Sequence, residues 1–591
     1  MRAMGLYADV YHCNEGHAAF IGIERMFEYI HKNNLTFAEA LEIVRSSALF
    51  TTHTPVPAGH DSFTEGMLRM YVSHYPAKLN TTWEQFMALG KLNPSDPYER
   101  FSMSYLAANL SSEINGVSRL HGKVSREMFV SMWPGYIPDE LNLGYVTNGV
   151  HFPTWTASEW KDLYEKYFGI DFITNQLDFE RWNKIYEVPD KEIWHIRNNQ
   201  RKLMIDYMKE RLHSPTTKRY QNPKYIVEVA ERFNKSVLTI GFARRFATYK
   251  RAHLLFRNLD RLSKIVNNSE MPIQFVFAGK AHPADKAGQD LIKMIVEISK
   301  RPEFMGKIVF LQNYDMELAS HLVAGVDVWL NTPTRPLEAS GTSGEKAVMN
   351  GALHFSVLDG WWAEGYVQNA GWMLPEEAAY DNHDAQDELD AETIYNLLEY
   401  EIAPLFYTRI KDDVPNGWVQ FIKNSIAKVA SNFTTTRMFT DYVNRFYTPL
   451  YARKMEMIKN DFELAKTMSS WKKKVFRSWD SIEILSAKTP DVLKESIMVG
   501  QEYKCEVALD LSELTPDDIG VEFLVVETDK KGGMKLHERK EFKLAGVSGR
   551  TAIYEVTLLP INTGAFEFGI RMFPKNPNLP HRQDFNLVKW I

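Results

Sequence analysis

The amino-acid sequence predicts an α/β protein with a doubly wound parallel sheet in its middle and an antiparallel β-sandwich at its C-terminal end. Three observations carry this expectation. Between residues 190 and 440, short apolar or β-branched runs bounded by Gly, Pro, Asn or Asp alternate with helical stretches, the pattern of parallel βαβ units. From about residue 470, short strands of alternating polarity recur at regular spacing between turn signals, as in a small sandwich. The composition is that of an ordinary globular chain, 45% hydrophobic and 24% charged, which excludes a disordered or fibrous protein.

The elements follow in order. Residues 1–190 read as mostly helical: 16–31, 36–50, 102–122 and 124–132 carry apolar residues at helical spacing. Residues 51–64 form a polar loop with Pro55, Pro57 and Gly59, and 145–150 read as a short strand ending in a loop. No βαβ unit is expected before residue 190. A long helix with a basic face covers 191–212, and buried strands are expected at 236–242, 273–278, 308–311, 326–330 and 354–358. Sandwich strands are expected at 502–509, 521–527, 541–544, 552–558 and 564–572, with turns at 529–533, 546–549 and 574–578. The domain reading is 1–190, 191–440, a helical return and linker over 441–470, and the sandwich over 471–591, the basic stretch 471–477 belonging to the connector.

Composition narrows the function. The 591 residues suggest roughly three or four domains. With 69 basic against 75 acidic side chains the net charge is −6, without the basic excess of a nucleic-acid binder. Two cysteines, Cys13 and Cys505, cannot build a disulfide framework and point to a reducing compartment. No apolar run approaches the ~18 residues of a membrane span. The opening residues lack an apolar signal-peptide core. A cytoplasmic multidomain enzyme is the expectation.

Chemistry concentrates at strand ends, where doubly wound sheets bind ligands. The stretch Glu338-Ala339-Ser340-Gly341-Thr342-Ser343-Gly344-Glu345-Lys346 follows the fourth buried strand and opens a helix. Its small residues let backbone amides approach an anion, and a helix start favours negative charge. Lys346 can hold phosphate as a point charge or form a Schiff base with pyridoxal phosphate. The spacing is not that of a Walker loop. A helix-capping turn with a solvated lysine stays open. Arg244-Arg245-Phe246-Ala247-Thr248-Tyr249-Lys250-Arg251 places four cations in eight residues past the first strand. Arg supplies a planar fork to phosphate and Lys a point charge; a bound anion offsets the cost of cations at a helix start. The pair His12 and His17 has poor metal spacing, so no metal is expected, and Asn14 reads as a helix cap. Residues 51–61 are dense in hydroxyl, imidazole and carboxylate groups, as sugar recognition requires. Trp361 and Trp362 can stack on sugar faces or pack in the core.

Taken in order, these motifs resemble the α-glucan (glycogen, starch, maltodextrin) phosphorylase family, in the divergent short branch common in prokaryotes. The resemblance spans residues 8–440 and rests on 14–17, 50–55, Ile114-Asn115-Gly116-Val117-Ser118, Thr147-Asn148-Gly149, 245–251 and 338–346. The family's usual Gly-Thr-Gly-Asn-Met-Lys stands here as Gly341-Thr342-Ser343-Gly344-Glu345-Lys346. The resemblance implies a two-Rossmann, GT-B type fold with pyridoxal 5′-phosphate carried by Lys346. It implies that Arg245 and Lys250 hold the substrate phosphate beside the cofactor phosphate, which Arg244, Thr342, Ser343 and Lys250 contact. Glu338, Ser340, Gly341, His53 and Asn148 match contacts to the transferred glucose, and Tyr249 lies beside the sugar. The His53 backbone matches the group facing the developing oxocarbenium ion, and Glu15 and His17 match a loop on the acceptor side. The implied reaction is reversible phosphorolysis of a terminal α-1,4 bond of glycogen or maltodextrin, giving glucose 1-phosphate with retention. A homo-oligomer is compatible with the resemblance; nucleic acid and membrane partners are not expected.

Family members begin with a Rossmann half bearing a Gly-rich loop, which would precede Met1. The expectation is therefore a truncated N-terminal half whose cleft lacks one wall, with the activity of the chain as it stands left open. Two other readings are carried alongside: a sugar-nucleotide glycosyltransferase of the same architecture, and a non-catalytic glucan-binding protein with the sandwich as its binding module.

Overall fold

The computed structural model describes residues 4–56, 59–213, 223–375, 382–411, 413–490, 497–528 and 532–591. Met1, Pro57, Ala58 and the 529–531 part of an expected turn lie outside the described residues. The chain divides into two compact units, one of residues 1–116, 122–145 and 443–591, the other of 117–121 and 146–442.

The N-terminal part of the first unit holds a four-stranded sheet of β1 (Tyr11–Asn14), β2 (Ala48–Thr51), β3 (Glu113–Gly116) and β4 (Leu143–Tyr145), paired in that order and all parallel, beside a two-residue antiparallel pair of Ser62–Phe63 with Phe101–Ser102. Helices α1 (Phe20–Asn33) and α2 (Phe37–Ser46) connect β1 to β2. This overturns the expectation that no βαβ unit precedes residue 190. The helices expected over 36–50 and 102–122 each end early and give way to a strand. Every residue of β2 is buried, so its apolar run lacks the alternation that distinguishes strand from helix. Helix α2 starts where Thr36 and Glu39 form a reciprocal capping box. Asn14 caps no helix: α1 follows Ala19 without a side-chain cap.

In the second unit the strands are β5 (Leu238–Arg245), β6 (Ile273–Lys280), β7 (Ile308–Leu311), β8 (Val328–Asn331), β9 (Leu353–Val357) and β10 (Gly371–Leu374). Their order across the sheet is β10-β9-β8-β5-β6-β7, all parallel. Numbered within the unit this is 3-2-1-4-5-6, the doubly wound order whose switch point falls between the first and fourth strands. Those strands are β5 and β8. β5 and β6 are buried along their length except for a terminal cation, Arg245 and Lys280, because both faces of the sheet are covered. The long helix α3 (Asp190–Leu212) buries Arg197 and Arg201 instead of presenting them to solvent. Arg201 holds Asp327 through two hydrogen bonds of 2.9 and 2.6 Å, and Asp327 accepts the Thr239 N–H at 2.9 Å. A buried charge needs such pairing, and here it fixes α3 against β5 and β8. Trp361 and Trp362 are core residues of this unit, so neither offers a face to a sugar. Helix α4 (Ser343–Val348) follows the β8 loop, and α5 (His383–Leu397) lies further along the chain.

The C-terminal part of the first unit begins with α6 (Thr448–Ser478), broken at Lys459–Phe462, which carries the basic stretch 471–477 within it. Two four-stranded antiparallel sheets follow. One is β11 (Glu483–Lys488), β12 (Tyr503–Asp510), β16 (Thr551–Leu558) and β15 (Lys543–Ser548), in that order. The other is β14 (Met534–Glu541), β13 (Ile519–Thr528), β17 (Glu567–Pro574) and β18 (Lys589–Trp590). Gly546, expected in a turn, sits inside β15 at a register shift against β16. Ion pairs join α6 and these sheets to the N-terminal segment of the same unit. Arg571 donates to Glu140 at 2.9 Å and to Glu522 at 2.8 Å, and Lys472 donates to Glu42 at 2.8 Å and Asp584 at 2.7 Å. No helix among the described residues is long and apolar enough to cross a membrane.

Candidate active site

The carboxyl ends of β5 and β8 bring the sequence-predicted cations and carboxylate together. Arg244, near the end of β5, donates from one Nη to Asn331 Oδ1 at 2.6 Å and from the other to Glu338 Oε2 at 2.5 Å. Lys250 donates to the same Glu338 oxygen. All three side chains are buried. Burial alone would raise the Glu338 carboxyl, but Arg244 and Lys250 outweigh it and hold the group below its ordinary value. Burial, reinforced by Arg244, lowers the Lys250 ammonium to about 8. Arg245 reaches solvent; Tyr249 is raised by burial and by Glu338, and Arg245 opposes this. Two cations thus share one carboxylate, with Arg245 close enough to Lys250 to act on its charge, leaving an excess of positive charge at the switch point.

The segment bearing Glu338 is shaped by backbone contacts. Glu338 N–H donates to Asp359 Oδ2 at 2.9 Å and Gly360 N–H to Asp359 Oδ1 at 2.8 Å. Burial raises Asp359 to about 7. Ser340 O accepts the Trp361 N–H at 2.8 Å, and its hydroxyl is buried with no partner among the described residues. Gly341 has φ +85° and lies against Glu338, where a Cβ would come within 3.3 Å of Glu338 Cγ. Gly360 has φ +52°, and a Cβ there would fall 2.2 Å from Ser340 O, so glycine is required for the close approach. Ala339 O accepts the Ser118 hydroxyl at 2.7 Å. Asn148 O accepts from Arg437 at 3.0 Å.

On α4, Ser343 Oγ accepts the Trp329 indole N–H at 3.1 Å, and Thr342 O accepts the Lys346 N–H at 3.3 Å. Lys346 Nζ stands 3.7 Å from the centre of the Trp155 ring. Burial lowers its ammonium, and Glu345 only partly opposes this. Glu345 is fully buried with neither carboxylate oxygen partnered among the described residues, and burial raises it well above its ordinary value. His354 is likewise buried and unpartnered, lowered by burial to about 3, with its ring against Gly344.

In the first unit, Asn14, Glu15, His53 and Thr52 form their own cluster. Glu15 Oε2 accepts the His53 N–H at 2.7 Å, and Glu15 Oε1 accepts the Thr52 hydroxyl at 3.3 Å. His53 Nε2 is hydrogen-bonded to Asn14 Oδ1. Burial lowers the His53 imidazolium against the opposing pull of Glu15, while His17 adds to the lowering. No group of three or more His, Cys, Asp or Glu among the described residues is placed to hold a metal.

Sequence reasoning did not single out Asn331, Asp359 or Trp155. The first two stand at or just past the carboxyl ends of β8 and β9, so strand-end position was the available signal; Trp155 had none, its partner being 191 residues away in sequence.

Comparison with known proteins gives a consistent result. A family profile described as carbohydrate phosphorylase matches residues 7–366, and one described as glycogen phosphorylase C-terminal domain matches residues 479–591. The chain is 37% identical over 601 aligned residues to the maltodextrin phosphorylase of Thermococcus litoralis, covering 100% of this chain and 68% of that protein. It is 35% identical over 590 residues to the glycogen phosphorylase of Mycobacterium tuberculosis, covering 98% and 67%. Against the glycogen phosphorylase of Aquifex aeolicus the identity is 40% over 453 residues, covering 76% and 64%.

Proposed function

The chain belongs to the carbohydrate phosphorylase family, and from that premise we propose that it is an α-1,4-glucan phosphorylase. It transfers the terminal glucose of glycogen or maltodextrin to inorganic phosphate, giving glucose 1-phosphate with retention. The observation that carries this reading is the pairing of Arg244 and Lys250 on Glu338, with Arg245 beside Lys250, at the switch point of a doubly wound sheet. In this reading the second unit is the cofactor-bearing Rossmann half of a GT-B type fold, and the setting is cytoplasmic.

The residues present fit pyridoxal 5′-phosphate. Lys346 is partly desolvated, lies against an aromatic face, and is lowered towards the neutral amine that adds to an aldehyde. Lys346 would carry the group, with Thr342, Ser343, Arg244 and Lys250 directed to its phosphate. When bound, the group would supply a second phosphate, able to exchange a proton with the substrate phosphate.

The chain's own residues do the rest. Arg245 and Lys250 hold the incoming phosphate and offset the repulsion between two phosphates in a dry site. A second anion on Lys250 releases Glu338 to accept a glucose hydroxyl, with Ser340, Gly341 and Asn148 fixing the remaining sugar edges and Tyr249 beside the ring. As the bond from C1 to the glycosidic oxygen breaks, that oxygen takes a proton from the substrate phosphate. The phosphate oxygen stabilises the positive charge at C1 and then bonds to it from the same face. His53, Glu15 and His17 keep the roles the family resemblance gives them, a glucose contact and an acceptor-side loop.

The test is direct. The full chain, supplied with cofactor, maltoheptaose and phosphate, releases glucose 1-phosphate, and Arg245→Ala reduces the rate by about a hundredfold or more. Glucose transfer from a sugar nucleotide with no phosphorolysis would replace this reading by the glycosyltransferase one.

A further inference from the structure

Arg251 was grouped by sequence with the other cations of the 244–251 cluster, but its surroundings are of a different kind. It is buried, and its backbone takes the left-handed conformation, φ 47° and ψ 44°. Its Nε donates to Thr332 O and one Nη to Pro333 O, both at 3.0 Å. Its other Nη is shared by Asp387 at 2.9 Å and Asp390 at 2.7 Å, both on α5. Asp387 is held in turn by His253 at 2.8 Å. Two carboxylates on one guanidinium leave no positive charge for a phosphate, so Arg251 is not part of the anion receptor.

It lies instead in a lattice joining two segments. Thr332 Oγ1 donates to Lys250 O at 3.1 Å, and the Thr334 N–H donates to Tyr249 O at 2.7 Å. One segment, 249–251, carries Lys250; the other runs from the end of β8 to Glu338, whose far end Asp359 already grips. A planar fork with donors in fixed directions satisfies two carbonyls and two carboxylates together, which an ammonium cannot.

We propose that Arg251 is a positioning residue, locking the turn of Lys250 to the segment of Glu338 and so setting where Lys250 stands to receive phosphate. This rests on the phosphorylase reading for its ligand. The test uses the full chain with Arg251→Lys and Asp387→Asn. Arg251→Lys is expected to raise KM for phosphate about tenfold while KM for maltoheptaose stays within about twofold. Asp387→Asn should move the same way by less, and it carries the test if Arg251→Lys does not fold. An unchanged phosphate KM, or both KM values rising together, would overturn the proposal. If the wild-type chain phosphorolyses no glucan, the functional reading has failed, and inorganic phosphate alone decides the inference. Phosphate should then protect Lys250 from amine modification in the wild type and protect it less in the variant; equal protection overturns the proposal.

Discussion

Replacing Glu338 by Gln removes the one carboxylate that Arg244 and Lys250 share. At the 2.5 Å contact with Arg244, an effective dielectric of about 20 gives an attraction of roughly 7 kcal/mol. Desolvation of the buried groups offsets much of that, and breaking one partner of a buried pair costs about 3–5 kcal/mol. At about 2–4 °C per kcal/mol, the transition of the second unit should fall by roughly 6–20 °C. The cost comes from cations left unpaired, so Glu338→Gln/Lys250→Met should be more stable than Glu338→Gln alone, a coupling read by a double-mutant cycle. Phosphate should restore part of the loss in the single variant by replacing the missing anion. Differential scanning fluorimetry with and without phosphate measures all three. A midpoint for Glu338→Gln within about 1 °C of wild type would refute the reasoning, as would strict additivity in the cycle.

Three further outcomes follow from the same site. Asp359 is raised by burial to about 7 from an ordinary 3.8, so its contribution to stability is complete below pH 4 and is lost as pH rises through 7, about 4 kcal/mol in all. Asp359→Asn should therefore compare better with wild type at pH 8 than at pH 5 in urea unfolding, and an identical difference at both would contradict this. Glu345 has no partner for either buried oxygen among the described residues, so Glu345→Met should stabilise the chain by about 1–3 kcal/mol; a lower unfolding midpoint would show that the carboxyl is satisfied. Lys250, lowered to about 8 by burial and Arg244, loses its charge as pH passes that value. Phosphate affinity should then weaken by up to about tenfold per pH unit, and calorimetry showing constant affinity from about pH 7.5 to 9 would exclude it.

The middle sheet was largely legible because its strands are buried on both faces and read as continuous apolar runs such as Ile308–Leu311. Gly371–Leu374 was not, since Gly-Trp-Met-Leu is short and has no β-branched residue. The N-terminal sheet escaped because Ala48–Thr51 and Glu113–Gly116 are four-residue strands, one just after a helix and one just after an apolar helical pattern. Met534–Glu541 reads as a charged, exposed segment, and only its pairing with Ile519–Thr528 makes it a strand. At the site, the cations and the Glu338 loop were visible as motifs. Their partners were not: Arg244 and Asn331 are 87 residues apart, and strand order alone brings them together. Arg251 was misgrouped for the same reason, its aspartates lying 136 and 139 residues further on.

The central claim is phosphate-dependent cleavage by a chain that carries its cofactor on Lys346. Borohydride reduction of the cofactor-loaded full chain, followed by peptide mass analysis, tests it alongside a glucose 1-phosphate assay with maltoheptaose. A cofactor mass on the Lys346 peptide and glucose 1-phosphate release are expected, both lost in Lys346→Ala. Glucose 1-phosphate release that persists undiminished in Lys346→Ala would contradict it.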